Sequence, residues 1–258
     1  MRICRQKALQ SFQNYIKNYD MDMQMIRLKV EHTYRVADLC EQIAVSLQLA
    51  REDVDLAWLI GLLHDIGRFE QQKNYGTFND AISIDHAQYG AELLFADKTV
   101  GIRSFIDDCA EDDIIRTAIY WHSAYRVPEN LDERTERFCH ILRDADKIDI
   151  LKANVEFPLE EIYNVTTEEL YSCPVTQEVM EAFTEEHAIL RSLRKVAVDN
   201  IVGHISLVYE LVYPISLRIM KEQGYLNKLM DFQSWNKEAQ QQFAYIREKM
   251  REYCDKSL

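Results

Sequence analysis

Residues 54–70 read VDLAWLIGLLHDIGRFE. Leu56, Ala57, Trp58, Leu59, Ile60, Leu62 and Leu63 follow so closely that a helix built from them is apolar nearly all round, as a central buried helix is. The pattern predicts a helix from about Glu52 to Ile66, with Gly67 as its stop. His64 and Asp65 fall at the C-terminal end of that helix. A lone carboxylate there costs several kcal/mol of desolvation. The negative end of the helix dipole adds to the cost. Something positive must stand nearby.

Outward from this stretch the same helical period recurs. Arg2 to about Ile16 reads as helix, and Val36, Cys40, Ile43, Ala44 and Leu47 make a helical stripe. Phe69–Ser83, with Asn74, Gly76 and Asn79, reads as a loop. A helix from Asp85 to about Phe95 places His86, Tyr89, Gly90, Leu93 and Leu94 on one face. Another, from about Asp112 to Ser123, carries Ile114, Ile115, Ala118, Ile119 and His122. A further helix is expected from Asp132 to about Lys152. Beyond Pro158, helices are expected near 175–195, 198–223 and 236–253, the second kinked by Pro214 and ended by Gly224. No segment alternates as a strand, so the expected fold is all-α.

Composition agrees. The 258 residues include only 7 Gly and 4 Pro, a third of the roughly 12% of average usage, whereas sandwiches, barrels and propellers need many such turns. With 30 Lys and Arg against 43 Asp and Glu the net charge is −13, which argues against binding a nucleic acid polymer through surplus basic residues. A local basic pocket for a small anion survives this argument. Cys4, Cys40, Cys109, Cys139, Cys173 and Cys254 form no C-x-x-C pair and read as reduced thiols. The start, MRICRQKALQSF, lacks an apolar signal region, and no apolar run approaches the roughly 20 residues of a membrane span. The expectation is a soluble cytoplasmic protein with no membrane contact.

Imidazole and carboxylate together suit a divalent transition metal. Adjacent helical residues point about 100° apart, yet a long imidazole and a short carboxylate can converge on one ion, leaving the second Asp65 oxygen to bridge another. The bland alternative is a structural His–Asp pair. Further histidines on apolar faces change the weighing: His32 lies four residues before Val36, while His86 and His122 sit on stripes of their own. His187 and His204 also occupy stripes and are read as core. In HILRDADKIDIL, Asp149 lies near the centre of the stripe, with Asp144 and Asp146 on opposite margins. The pattern leaves the choice open and leans towards Asp149. His140, which points away from Asp146, reads as a surface group or as one that supports a ligand from behind.

His32, then His64-Asp65 in LLHDIGRFE, then Asp146 in DADKID, resembles the H…HD…D signature of the HD-domain metal-dependent phosphohydrolases. The E-H-x-x-R-V helix start and A-D-K-I are similar too, over about residues 28–152. The resemblance implies His32, His64, Asp65 and Asp146 as metal ligands, and it selects Asp146 among the three aspartates. DHAQYGAELL, with His86 and Gly90, resembles the H-x-x-x-G-A-E part of HD proteins with two metals. The cyclic-dinucleotide branch has a His-His pair and a Gly-Tyr-Pro segment; here stand Trp121-His122 and Ser123-Ala124-Tyr125-Arg126-Val127-Pro128. A second ion through Asp65, His86 and His122 is allowed, about 3.5–4 Å from the first. Residues 1–158 then form the HD-type metal-binding domain, and 159–258 a C-terminal helical extension packed on it.

The implied chemistry is attack of a metal-activated water on a phosphate ester, a nucleotide being the favoured substrate. Arg68 and Lys147, directly after H-D-I-G and Asp146, are expected to steer the anion beside Asp65, with Arg126 a weaker candidate. Glu70 and His122 are candidates to protonate the leaving group. Mn, Fe, Co, Ni, Zn and Mg fit alike, and a homo-oligomer is allowed. The alternative is a regulatory all-α protein that keeps metal and ligand but turns nothing over.

Overall fold

The computed structural model describes residues 3–96 and 100–256, and among these the fold is all-α without a strand. The chain divides into two compact units, Met1–Asp146 and Lys147–Leu258. The first contains α1 (Arg5–Ile16), α2 (Gln24–Ser46), α3 (Arg51–Leu63), α4 (Ile66–Tyr75), α5 (His86–Phe95) and α6 (Asp112–Trp121). The boundary falls within α7 (Glu133–Glu156). Arg2, the expected start of the first helix, lies outside the described residues.

The core of the first unit is the α2–α3 pair. Val36, Ala37, Cys40, Ile43 and Ala44 of α2, and Leu56, Leu59, Ile60, Leu62 and Leu63 of α3, are each at most 1% exposed. Full burial of one such aliphatic side chain stabilises by about 1.5–3 kcal/mol, so this pair anchors whatever its ends carry. Cys40, Cys139 and Cys254 are buried, Cys4 and Cys109 are exposed, and Cys173 lies between, all as free thiols.

Two boundaries depart from expectation. The buried helix does not run through Ile66 to a stop at Gly67: α3 ends at Leu63, His64 and Asp65 form a joint, and α4 continues through the expected loop to Tyr75. Asp65, at φ −99° and ψ 14°, turns the chain, and its carbonyl accepts from Arg68 N–H at 2.9 Å. Gly67 sits in the first turn of α4 because α5 passes there: a Cβ would lie 2.2 Å from the His86 carbonyl oxygen and 2.7 Å from Gly90 N. The stop is Gly76, left-handed at φ +68°.

The second unit holds α8 (Leu159–Tyr163), α9 (Thr167–Tyr171), α10 (Gln177–Thr184), α11 (Ala197–Ile205), α12 (Pro214–Gln223), α13 (Tyr225–Met230) and α14 (Lys237–Lys256). The helix expected over 175–195 ends early, with Glu186 at φ +54°. Pro214 opens α12 instead of kinking a longer helix. Its fixed φ and missing N–H suit a first turn. Gly224 ends α12 as expected. No helix among the described residues is long and apolar enough to cross a membrane.

Candidate metal centre

The joint after α3 delivers His64 and Asp65 to the middle of the first unit, where both are buried. His32 comes from α2, His86 from the first turn of α5, His122 from the end of α6 and Asp146 from α7. Asp85 caps α5, accepting from Ala87 and Gln88 N–H, which fixes where His86 begins. Arg143 of α7 donates to the carbonyls of Trp121 and His122, both at 3.1 Å, and of Tyr125 at 3.3 Å. It therefore satisfies the exposed end of α6 and holds His122.

Two groups of donors result. His32, His64 and Asp146 each present an atom within 4.8 Å of the others, as do His64, Asp65 and His122. In the first, His32 Nε2 stands 3.3 Å from His64 Nε2 and 3.1 Å from Asp146 Oδ1. Asp65 faces both ways: Oδ2 lies 3.6 Å from His32 Nε2 and from His64 Nε2. Its Oδ1 lies 3.4 Å from His86 Nε2 and 3.9 Å from His122 Nε2.

The tautomers define the chemistry. His64 Nδ1 is 2.7 Å from the Gly61 carbonyl, and His122 Nδ1 is 2.7 Å from that of Ile119. His86 Nδ1 is 2.9 Å from Asp80 Oδ2. All three partners are acceptors, so each Nδ1 carries the proton and each Nε2 offers a lone pair inward. His86 Nε2 and His122 Nε2 nevertheless stand 3.0 Å apart. Burial lowers the pKa of His64 to about 4 and that of His86, with a contribution from the Arg68 charge, to about 3. Both are neutral at pH 7, and neutral imidazole is the metal-binding form. Two nitrogens about 2.0–2.1 Å from a common ion stand roughly 3.0–3.4 Å apart. The observed nitrogen pairs meet that separation, so the donor set fits a divalent ion.

Charge balance points the same way. Burial opposes ionisation of Asp65, yet Lys29, His64, His86 and Arg68 hold it well below the usual carboxylate range. Burial also opposes ionisation of Asp146, and its hydrogen bond with His32 together with the charge interactions with His32, His64 and His122 outweighs that. Both carboxylates are anions available to a cation.

The other expected residues divide. Arg68 is buried, and its Nη1 donates to Gln71 Oε1 (2.9 Å), the Phe78 carbonyl (2.5 Å) and Asp80 Oδ1 (2.6 Å). Its Nε, 3.7 Å from Asp65 Oδ1, has no hydrogen-bond partner. Lys147 points its ammonium at the Glu210 carbonyl, 3.5 Å away, and Arg126 lies exposed over the Tyr125 ring. Glu70 accepts from Tyr19 Oη at 2.6 Å and from Asn74. Asp144 and Asp149 are buried at 0% and 2% exposure. His140 pairs at the surface with Glu136, and His187 proves half-exposed and bound to Glu185, not core. Two residues escaped the sequence reading. Lys29, three before His32 on the same face of α2, places Nζ 2.7 Å from Asp65 Oδ2. Asp80, in the turn before α5, orients His86 and holds Arg68; as an acid in a loop it carries no periodic signal.

Residues 30–151 match the family model "HD domain". The 3'3'-cGAMP-specific phosphodiesterase 1 of Vibrio cholerae serotype O1 is 26% identical over 145 residues, which cover 54% of this chain and 30% of that protein. No solved structure matches.

Proposed function

We propose, on the premise that residues 30–151 constitute an HD domain, that this protein is a metal-dependent phosphohydrolase of a small nucleotide-like phosphate ester. One observation carries the reading: Nε2 atoms of His32, His64, His86 and His122 converge with the carboxylates of Asp65 and Asp146 at distances that suit a common ion. The relative from Vibrio cholerae, whose name specifies a phosphodiesterase for 3'3'-cGAMP, supports the substrate class.

In this reading His32, His64, Asp65 and Asp146 hold one divalent ion, and Asp65 Oδ1 with His86 and His122 provides for a second. A metal bound there would supply Lewis acidity towards a phosphoryl oxygen and would lower the pKa of a water so that hydroxide is available near neutral pH. The chain's own groups do the rest. Lys29 and the Nε edge of Arg68 bring positive charge to Asp65, where they receive phosphate oxygens and offset the field of a chain carrying −13. Lys147, next to Asp146 on α7, is a third candidate for that role. Asp80 keeps the His86 lone pair directed inward. His122, held by the Ile119 carbonyl and Arg143, is placed to bind or orient, in preference to Glu70, whose carboxylate is engaged by Tyr19 and Asn74.

A panel of nucleotide mono- and diesters, assayed with the metal-replete protein alongside elemental analysis, tests the proposal. Release of phosphate or opening of a diester, abolished in Asp65→Ala together with metal retention, is expected. Retention of stoichiometric metal without turnover of any ester would move the protein to the regulatory class.

A further inference from the structure

The second unit carries a cleft of about 260 Å³ between the end of α7, the start of α8, the end of α9 and α13. A cavity of roughly 150 Å³ already takes a benzene ring, so this one has room for a small organic molecule. Its walls are largely aromatic: Phe157, Tyr171 and Phe232 line it, and each is only partly buried. The Tyr171 ring stacks on Trp235, centroids 5.3 Å apart at 29°, and packs against Phe232 at 4.8 Å and 32°. Hydrogen bonds fix this platform. The Tyr171 carbonyl accepts from Trp235 N–H and from Ser234 Oγ, both at 2.9 Å. Rings held in this way offer a flat apolar face whose ordering is already complete before anything binds.

Two opposite charges line the same cleft without meeting. Lys228, exposed on α13, holds its ammonium 5.1 Å from the Tyr225 ring, and that ammonium has no hydrogen bond or ion pair among the described residues. Glu160 of α8 accepts from Thr167 Oγ1 through Oε1 at 3.1 Å, and its Oε2 is not engaged by any described residue. An ammonium and a carboxylate that share a cleft gain by closing on each other. These two do not. The Tyr171 hydroxyl likewise has no hydrogen-bond partner among the described residues, and burial with the Glu160 charge raises its pKa, so it stays a donor.

We propose that this cleft binds a small nucleotide, its base lying on the aromatic walls, a base N–H directed to Glu160 and its phosphate to Lys228. Every nucleobase has a flat face on which aromatic side chains stack. A carboxylate accepts from base amino groups, and an ammonium binds phosphate as a point charge. A nucleotide carries its N–H donors and its phosphate at opposite ends of the molecule, whereas an amino acid carries both charges on one carbon. Opposite charges held apart in one cleft match the former. None of these residues belongs to the metal centre, and the site does not depend on the hydrolase reading.

Calorimetric titrations of the full-length protein with GMP, guanosine and tryptophan test the proposal, with a chelator present so that turnover at the metal centre contributes no heat. Wild type, Asp65→Ala, Lys228→Gln and Tyr171→Leu are compared. GMP should bind wild type saturably and Asp65→Ala equally well. Lys228→Gln should weaken GMP about tenfold, the loss expected when a charge-assisted hydrogen bond is removed, and leave guanosine unchanged. Tyr171→Leu should weaken GMP and guanosine alike, by about 5- to 150-fold, as loss of base stacking does. Lys228 is exposed, so its variant decides the matter if Tyr171→Leu fails to fold. Absence of GMP binding to wild type, GMP affinity unchanged in Lys228→Gln, guanosine falling there as far as GMP, binding lost in Asp65→Ala, or tryptophan bound more tightly than GMP would overturn it.

Discussion

Replacing Gly67 by alanine should separate two helices that the metal centre needs together. The added Cβ would stand 2.2 Å from the His86 carbonyl oxygen, 2.7 Å from Gly90 N and 3.0 Å from Gly90 Cα. All three are backbone atoms of α5, so no rotamer change relieves the clash. Contacts relax only near 3.5 Å, so α5 must retreat by roughly 1 Å. Alanine returns about 1 kcal/mol of helix propensity. Overpacking costs about 1–3 kcal/mol and occasionally more, and with backbone on every side the upper end applies, for a net loss of about 2 kcal/mol. At about 2–4 °C per kcal/mol this lowers the unfolding temperature by about 4–8 °C. Since α5 begins with His86, metal affinity should fall as well. Scanning calorimetry on metal-free and metal-loaded protein reads both effects. Gly90→Ala is the control, because its nearest contact would be a milder 3.2 Å. If Gly67→Ala unfolds no lower than Gly90→Ala, the helices are not as tightly apposed as reasoned.

Asp80→Asn removes the carboxylate that fixes the proton of His86 on Nδ1, and metal affinity should drop about 10- to 100-fold in a competition titration; an unchanged affinity assigns Asp80 to loop structure alone. His64 and His86 titrate near 4 and 3 in the fold but near the ordinary 6.5 when unfolded, so the unfolded chain binds more protons in between. Stability of the metal-stripped protein is therefore full above about pH 6.5 and declines as pH falls towards 4; urea midpoints that stay level across that window would contradict the neutral imidazoles. Arg68→Ala should lower kcat/KM about 10- to 150-fold on the best ester of the panel with metal content unchanged, and an equal kcat/KM would reduce Arg68 to a partner of Asp80. Lys29→Gln should lower kcat/KM while tightening metal retention, because Nζ no longer competes for Asp65 Oδ2; weaker retention would mean that the ammonium positions the carboxylate.

The helical class was legible because nothing alternates and turn residues are scarce, and α3 was legible because it is apolar on every side. The end of α3 was not. Glycine marks both helix stops and close approaches, and the partner that makes Gly67 an approach lies on α5, distant in sequence. Pro214 failed for a related reason: its ring fits the first turn of a helix as well as it breaks an interior, and the choice depends on where α11 stops. Periodicity placed His32, His86 and His122 on inward faces but could not choose among the aspartates of α7, since Asp144 and Asp149 are buried too. The family resemblance, not the pattern, singled out Asp146. Lys29 could have been found by counting one turn back from His32, whereas Asp80 depends on the path of a loop.

The candidate donors come from α2, the α3–α4 joint, α5, α6 and α7 in chain order, so an ion shared among them would tie together segments that are far apart along the chain. Such a tie acts on the unfolded ensemble as a covalent cross-link does, removing conformations in proportion to the loops it closes. The penalty for closing a loop grows only with the logarithm of its length. Connections between donors that make no contact with them are therefore free to lengthen or shorten with little thermodynamic consequence, unlike the turn from Gly76 to Ile84, where Phe78 and Asp80 hold Arg68 and His86. Substrate selectivity can be rebuilt in those connections while the chemistry at their roots stays fixed.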